Sequence, residues 1–203
     1  MAIFYQHNIN SSTKLAVWHI SEDESFFLKA VSLQREITHP HKRLQHLAGR
    51  YLLQHLFPDF PHHLIMIADT RKPFLLNEEY HFSISHCGDY AAVIVSKEYR
   101  VGLDIEMISP KVDRIRHKFL NAQELVNLPI SNLESLTTLW SAKEAVFKWY
   151  GGGDVDFRAH ICLDTMGDKV IWGRFMKEGE IPLEVIHDRM DDIILAYIYT
   201  ATK

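Results

Sequence analysis

The chain has 203 residues, 47% of them hydrophobic and 24% charged, with a formal net charge of −4. This composition predicts a globular protein of one large or two small domains, and the negative balance gives no support to nucleic-acid binding. No segment is apolar for long enough to span a bilayer, the N-terminus lacks the pattern of a signal peptide, and two cysteines favour a reducing compartment. We therefore expect a cytoplasmic protein without membrane or nucleic-acid partners.

The first half is predicted to contain a strand, two helices and a group of three strands. The strand covers 14–20, the helices cover 22–31 and 40–57, and the later strands cover 81–85, 91–95 and 101–107. Pro58 stops the second helix, whose apolar residues recur at helical spacing. Alternating and continuous apolar patterns in the last three segments predict an antiparallel meander.

The second half is predicted to begin with helices and end in strands. A basic helical stretch covers 114–118, a longer helix covers 133–150 and ends at Gly151, and strands cover 158–163, 169–175, 183–187 and 193–200. Each half thus runs from helices into a small antiparallel sheet, which is an α+β order. We predict two similar α/β halves, 1–107 and 108–203, related by a pseudo-twofold, with a ligand cleft between them.

The segment Gly102-Leu103-Asp104-Ile105-Glu106 predicts two carboxylates on one face of a strand. Side chains alternate along a strand, so 101, 103, 105 and 107 are expected in the core and the glycine and both acids on the opposite face. The glycine lets a ligand approach the backbone. Two neighbouring carboxylates repel, and Mg²⁺ relieves that repulsion. An exposed hairpin with outward polar residues is the alternative.

The segment 140–148, WSAKEAVFK, places Trp140, Glu144 and Lys148 along one stripe of a helix. The alternative is an ordinary surface pair of Glu144 with Lys148, which is worth only about 0.3–0.5 kcal/mol. A tryptophan on the same stripe indicates that this face meets protein or ligand, because an aromatic side chain is costly to leave in water.

Two further groups of residues suit phosphate binding. Ser85 and His86 lie near a strand end before Gly88, where a hydroxyl, an imidazole and backbone N–H groups are available. Adjacent strand residues point to opposite faces, which argues against a serine nucleophile activated by this histidine. Basic residues are scattered nearby; they are Lys42, Arg43, Arg50, Arg71 and Lys72.

Four of these segments, in this order, resemble motifs of the 4′-phosphopantetheinyl transferase superfamily, in its monomeric type that activates peptide-synthetase and acyl carrier domains. The segments are Lys72-Pro73, FSISH at 82–86, GLDIE at 102–106 and WSAKEAVFK at 140–148. Phe119, Glu124 and the helix around Gly49-Arg50 resemble further landmarks. The resemblance covers residues from about 40 to 150 and is most specific in the GLDIE and WSAKEAVFK pair.

The resemblance implies a Mg²⁺-dependent transfer of phosphopantetheine from coenzyme A to a serine of an apo acyl or peptidyl carrier protein, releasing 3′,5′-ADP. It implies a metal site of Asp104, Glu106 and Glu144. Coenzyme A contacts would come from Lys72, Ser85, His86 and Lys148, with Arg43 or Arg50 at the nucleotide end. The sequence departs from the family in Gln45, where better-known members have arginine, and in Arg71, where a glycine often precedes Lys-Pro.

The proton of the attacking hydroxyl needs a base, and Glu144 is favoured over Lys148 because a lysine paired with a glutamate stays protonated. A basic patch of Arg114, Arg116, His117 and Lys118, with Phe119 as an apolar anchor, is a candidate surface for an acidic carrier. Two alternatives differ in class: a Mg²⁺-dependent phosphohydrolase that uses the same carboxylates, and a non-catalytic module that binds coenzyme A or a carrier domain.

Overall fold

The computed structural model describes residues 3–33 and 36–201. The chain forms two compact units, the first running to Val101 and including the segment from Thr200, and the second covering Gly102–Tyr199. Both combine helices with antiparallel strands, which confirms the predicted α+β class. The pseudo-twofold, the cleft and the division at 107/108 stay predictions.

The first unit packs a long helix against a four-stranded sheet. Its elements are β1 (Ile3–Asn8), β2 (Thr13–His19), α1 (Glu24–Leu28), α2 (Pro40–Leu56), a 3₁₀ turn (His62–Leu64), β3 (Ile65–Ile67), β4 (Pro73–Leu75), β5 (His81–Cys87) and β6 (Tyr90–Ser96). The sheet order is β1-β2-β6-β5, while β3 and β4 form a separate ribbon. Apolar residues of α2 pack with Val93 and Val95 of β6 in the core.

The second unit packs one buried helix against a five-stranded sheet. Its elements are β7 (Tyr99–Met107, which starts before the division), α3 (Lys111–Phe119), α4 (Ala122–Asn127), α5 (Leu133–Tyr150), β8 (Ile161–Met166), β9 (Val170–Phe175), β10 (Ile181–Met190) and β11 (Ile193–Ala201). The sheet order is β7-β11-β10-β9-β8. Leu139, Val146 and Trp149 of α5 lie in a core with Phe175 and Val185 of the sheet.

Local sequence fixes both ends of α5. Asn132 caps its N-terminus in a capping box with Ser135, and Gly151 ends it in the left-handed conformation with φ 71°. These signals explain why the predicted bounds of this helix, 133–150, are confirmed. The helix expected over 22–31 is shorter, at Glu24–Leu28, and β1, β3, β4 and α4 were not predicted from the sequence.

The predicted meander is wrong in its third strand. β7 does not continue the sheet of β5 and β6; it is an edge of the second sheet, beside β11. Its expected alternation is also wrong, because Asp104 is only 2% exposed whereas Met107 is 39% exposed. The middle of β7 is buried on both faces, since α5 covers the face that was expected to meet a ligand.

Across the described ranges, no helix has the length and apolar character that crossing a membrane requires.

Candidate active site on β7 and α5

Gly102 sets the distance between β7 and α5. A Cβ atom at this position would lie against the carbonyl oxygen of Ala145 and only 2.5 Å from the backbone nitrogen of Trp149. The sequence predicted that this glycine lets a ligand approach the backbone of the strand. The structure shows that it lets helix α5 approach instead. This approach brings the polar stripe of α5 to Asp104 and Glu106.

Gly102→Ala is expected to destabilise the protein by about 1–3 kcal/mol, since the new methyl group forces β7 and the backbone of α5 apart. Any activity of the site should fall as well, because the acids on β7 move away from Glu144. Urea unfolding with an activity assay at matched folded concentration measures both effects. Gly167→Ala is a matched control, because its backbone is not left-handed and its Cβ would come no closer than 3.3 Å, to the ring of the exposed Trp172. An alanine at 102 that leaves both quantities unchanged would contradict this role.

Asp104 is held by donors on both of its carboxylate oxygens. Lys148 Nζ lies 2.6 Å from Oδ1, and Ser141 Oγ donates to Oδ2 at 3.0 Å. Both donors come from α5, and the carboxylate is almost wholly buried. Lys148 thus forms an ion pair between helix and strand, whereas the alternative was an ordinary surface pair with Glu144.

Glu106 receives a hydrogen bond from the indole of Trp140, with Nε1 3.2 Å from Oε1. The indole is fixed by aromatic neighbours, with ring centroids 5.1 Å from Phe119 and 5.6 Å from Phe157. Burial raises the pKa of Glu106, and the charge of Asp104 raises it further. The tryptophan therefore meets protein, as its place on the stripe predicted.

Glu144 lies beside the same acids without a comparable donor. Within residues 3–33 and 36–201 no hydrogen bond to its carboxylate is found. Burial raises its pKa to about 7, with a further contribution from the charge of Asp104, and Lys148 opposes the rise. A carboxyl group with a pKa near neutrality is suited to accept and release a proton.

The three carboxylates thus lie within each other's electrostatic influence, as their mutual effects on pKa show. In the part of the chain that the structure describes, no group of three or more His, Cys, Asp or Glu side chains has the arrangement of a metal site. The positive charge beside Asp104 is the ammonium of Lys148.

Lys143 and Glu144 are neighbours in sequence but have different surroundings. Lys143 is fully buried, forms an ion pair with Glu124 at 2.7 Å, and donates to the carbonyl oxygens of Phe119, Phe157 and Ile161 at 2.7–2.8 Å. Glu124 also accepts from backbone N–H groups of Asn121 and Leu163. The sequence had singled out Glu124 only by resemblance and gave Lys143 no role. The position of Lys143 on the apolar side of a predicted helix was the one feature of the sequence that could have indicated a buried ion pair.

The remaining predicted contacts lie in the first unit. Arg43 on α2 pairs with Glu24 at 2.6 Å and donates to the carbonyl oxygen of Ile37. Arg50 is 7% exposed, and with burial its charge lowers the pKa of His62 to about 4. Both arginines are therefore engaged within this unit. Gln45, at the position that departs from the family, donates to the carbonyl oxygen of Gly88 at 2.8 Å.

Ser85 and His86 lie on opposite faces of β5, as predicted, with Ser85 7% exposed and His86 exposed. Lys72 precedes β4, and burial lowers its pKa to about 8, with a further contribution from Arg100. The pKa of His81 is lowered mainly by burial, and the charges of Arg100 and Lys72 lower it further. Lys72 and Arg100 therefore form a local concentration of positive charge beside His81, whose lowered pKa favours its neutral form.

The basic side chains of α3 are exposed, as a docking patch requires. Phe119 is fully buried in the core of the second unit, so its predicted role as an apolar anchor at the surface is wrong. Its ring instead supports Trp140. The patch itself stays a prediction.

Comparison with known proteins agrees with this geometry. The model of the 4′-phosphopantetheinyl transferase superfamily matches residues 100–198, which hold every acid of the site. The 4′-phosphopantetheinyl transferase AcpT of Escherichia coli (strain K12) is 32% identical over 136 residues, which cover 61% of this chain and 69% of the relative. Enterobactin synthase component D of the same strain is 32% identical over 114 residues, which cover 53% and 54%.

Proposed function

Since the chain belongs to the 4′-phosphopantetheinyl transferase superfamily, we propose that it moves phosphopantetheine from coenzyme A to a serine of an apo acyl or peptidyl carrier protein, with Mg²⁺ and with release of 3′,5′-ADP. One observation carries the proposal: α5 brings Glu144 and Lys148 to the two acids of β7. Transfer of a phosphate-linked group depends mostly on positioning and charge neutralisation.

The side chains of Asp104, Glu106 and Glu144 suit Mg²⁺, which prefers oxygen ligands. Two of them have pKa values raised by burial and by neighbouring negative charge, so a divalent cation would relieve a repulsion that the fold imposes. These three residues would hold the ion. When bound, it would supply neutralisation of the negative charge that develops on the diphosphate.

The chain's own groups account for the proton and for the remaining charge. Glu144 would accept the proton of the carrier serine hydroxyl, directly or through a water, as that oxygen bonds to the phosphorus on the pantetheine side and 3′,5′-ADP leaves. The place of Glu144 beside Asp104 and Glu106 supports this role; its pKa of about 7 is that of the site before a cation binds. Lys148, an ion-pair partner of Asp104, would remain protonated and offset charge on the diphosphate.

Contacts to the other phosphates of coenzyme A are assigned to Lys72, Ser85 and His86, with Arg43 or Arg50 at the nucleotide end. The positive charge around Lys72 supports an anion-binding role for this part of the first unit. Support is weaker for the two arginines, because Arg43 already pairs with Glu24 and Arg50 is only 7% exposed.

Affinity for coenzyme A is expected to fall as the pH rises through about 8. The pKa of Lys72 is about 8, phosphate binds its protonated form, and phosphate monoesters are fully ionised above neutrality. The dissociation constant should then rise by up to about tenfold per pH unit above 8. Calorimetry with coenzyme A between pH 7 and pH 10 measures this slope.

Lys72→Gln should weaken binding below pH 8 and remove the slope. Lys29→Gln changes an exposed lysine at the end of α1 and should keep both the affinity and the slope of the parent protein. Identical profiles for the parent and for Lys72→Gln would reject Lys72 as a phosphate contact.

The decisive test is mass spectrometry of apo carrier proteins after incubation with coenzyme A, Mg²⁺ and the protein. Transfer adds the mass of phosphopantetheine to the carrier. Release of phosphate or phosphopantetheine into solution without modification would instead indicate a hydrolase, and binding without turnover would indicate a non-catalytic module. A panel of fatty-acid, polyketide and peptide-synthesis carriers would identify the preferred acceptor.

We further propose a cytoplasmic monomer without nucleic-acid or membrane partners. The net charge of −4 and the two cysteines, Cys87 and Cys162, which form no disulfide, support this proposal, and the monomeric state rests on the resemblance alone.

A further inference from the structure

We propose that Ser141 is a positioning residue of the active site, which fixes the Asp104 carboxylate for binding a divalent cation. The inference rests on the proposed function, because it concerns the metal-binding acids assigned there. It is carried by a hydrogen bond from a fully buried helix hydroxyl to an acid 37 residues away, with Ser141 Oγ 3.0 Å from Asp104 Oδ2.

The other buried serine and threonine hydroxyls of α5 serve as an internal comparison. Thr137 and Thr138 donate to the carbonyl oxygens of Leu133 and Glu134, four residues earlier in the same helix, and Ser135 caps the helix N-terminus. Such local bonds are the usual outcome for serine and threonine inside a helix. Ser141 is the exception, since its recorded bond leaves the helix and reaches β7.

The two donors to Asp104 differ in how firmly they are held. Ser141 is 0% exposed, whereas the side chain of Lys148 is 25% exposed and carries a flexible stem. Lys148 is thus able to turn from Asp104 towards a phosphate, while Ser141 stays in place. The hydroxyl therefore holds Oδ2 and leaves Oδ1 directed towards Lys148 and the open stripe of α5.

Ser141 would thus not touch the metal ion itself but would orient the Asp104 carboxylate that binds it. Loss of such a partner typically weakens metal affinity by about 10–100-fold. The close packing at Gly102 supports the role, because it keeps α5 near enough to β7 for a side chain as short as serine to reach the acid.

The test compares Ser141→Ala with Thr137→Val. Both remove a buried hydroxyl from the same helix, but only the first removes a bond to Asp104. Mn²⁺ affinity is measured by electron paramagnetic resonance on the protein without coenzyme A, and thermal unfolding is followed for both variants. We expect Mn²⁺ to bind about tenfold more weakly to Ser141→Ala, and normally to Thr137→Val.

Turnover supplies a second readout. The Mg²⁺ concentration for half-maximal transfer should rise about tenfold in Ser141→Ala, while the rate at saturating Mg²⁺ approaches that of the parent. If the parent transfers and binds Mn²⁺ but Ser141→Ala behaves as Thr137→Val does, Ser141 is only a structural residue and the inference falls. If the parent itself neither transfers nor binds Mn²⁺, it is the proposed function that fails.

Discussion

Glu144→Gln is expected to reduce transfer to an apo carrier protein by at least about a hundredfold, the usual contribution of a positioned general base. The amide keeps the size of the side chain but cannot take a proton from the serine hydroxyl. Before a cation binds, burial and the charge of Asp104 raise the pKa of the parent carboxylate to about 7. Mass spectrometry of the carrier at several time points gives the rate.

A second measurement separates the two roles that we assign to Glu144. Its amide oxygen is still able to contact a cation, so Mn²⁺ affinity should fall much less than the transfer rate if Glu144 is the base. An equal fall in both would assign Glu144 to metal binding alone. Glu134→Gln is a matched control on the same helix, since Glu134 is partly exposed and pairs with Arg189 away from the three acids.

A variant Glu144→Gln that retains most of the parent rate would remove the central claim of the proposed function. Asp104→Ala provides an independent check, because it removes the acid that Lys148 and Ser141 hold. We expect that variant to lose transfer as well.

Sequence patterns predicted the stripe of the active site because helical spacing is local information. Asn132 and Gly151 mark both ends of α5, and a four-residue spacing places Trp140, Glu144 and Lys148 on one side. The partner of each side chain was not predictable in this way. Helical spacing placed Lys148 near Glu144, but only the packing of β7 against α5 gives it Asp104 as an ion-pair partner.

The membership of β7 in the second sheet also depends on tertiary structure. Strands that follow each other along the chain usually pair, so a third strand after β5 and β6 predicted a meander. The position beside β7 is taken by β11, which lies nearly a hundred residues later in the chain. β1 was missed for a different reason: all of its residues except Ile3 and Tyr5 are exposed, so the strand lacks a continuous apolar pattern.

Lys143→Met is expected to destabilise the protein by about 3–5 kcal/mol, because it leaves the buried carboxylate of Glu124 without its counterion. Glu124 is 2% exposed, and the lysine joins it to three carbonyl oxygens at the ends of α3 and around β8. Methionine fills a similar volume, so the loss measures charge and hydrogen bonding more than packing. Urea unfolding gives the free energy.

The double variant Lys143→Met with Glu124→Gln tests whether the loss comes from the uncompensated charge. It should recover part of the stability, since the glutamine is neutral, although the carbonyl oxygens of Phe119, Phe157 and Ile161 remain without their donor.

Lys169→Met, which breaks an exposed pair with Asp188, should cost no more than about 1 kcal/mol. Equal losses for Lys143→Met and Lys169→Met would show that the buried pair does not hold α5 in place. A large loss confined to Lys143→Met would mean that Lys143 fixes α5 from its buried side, through Glu124 and the carbonyl oxygens around it.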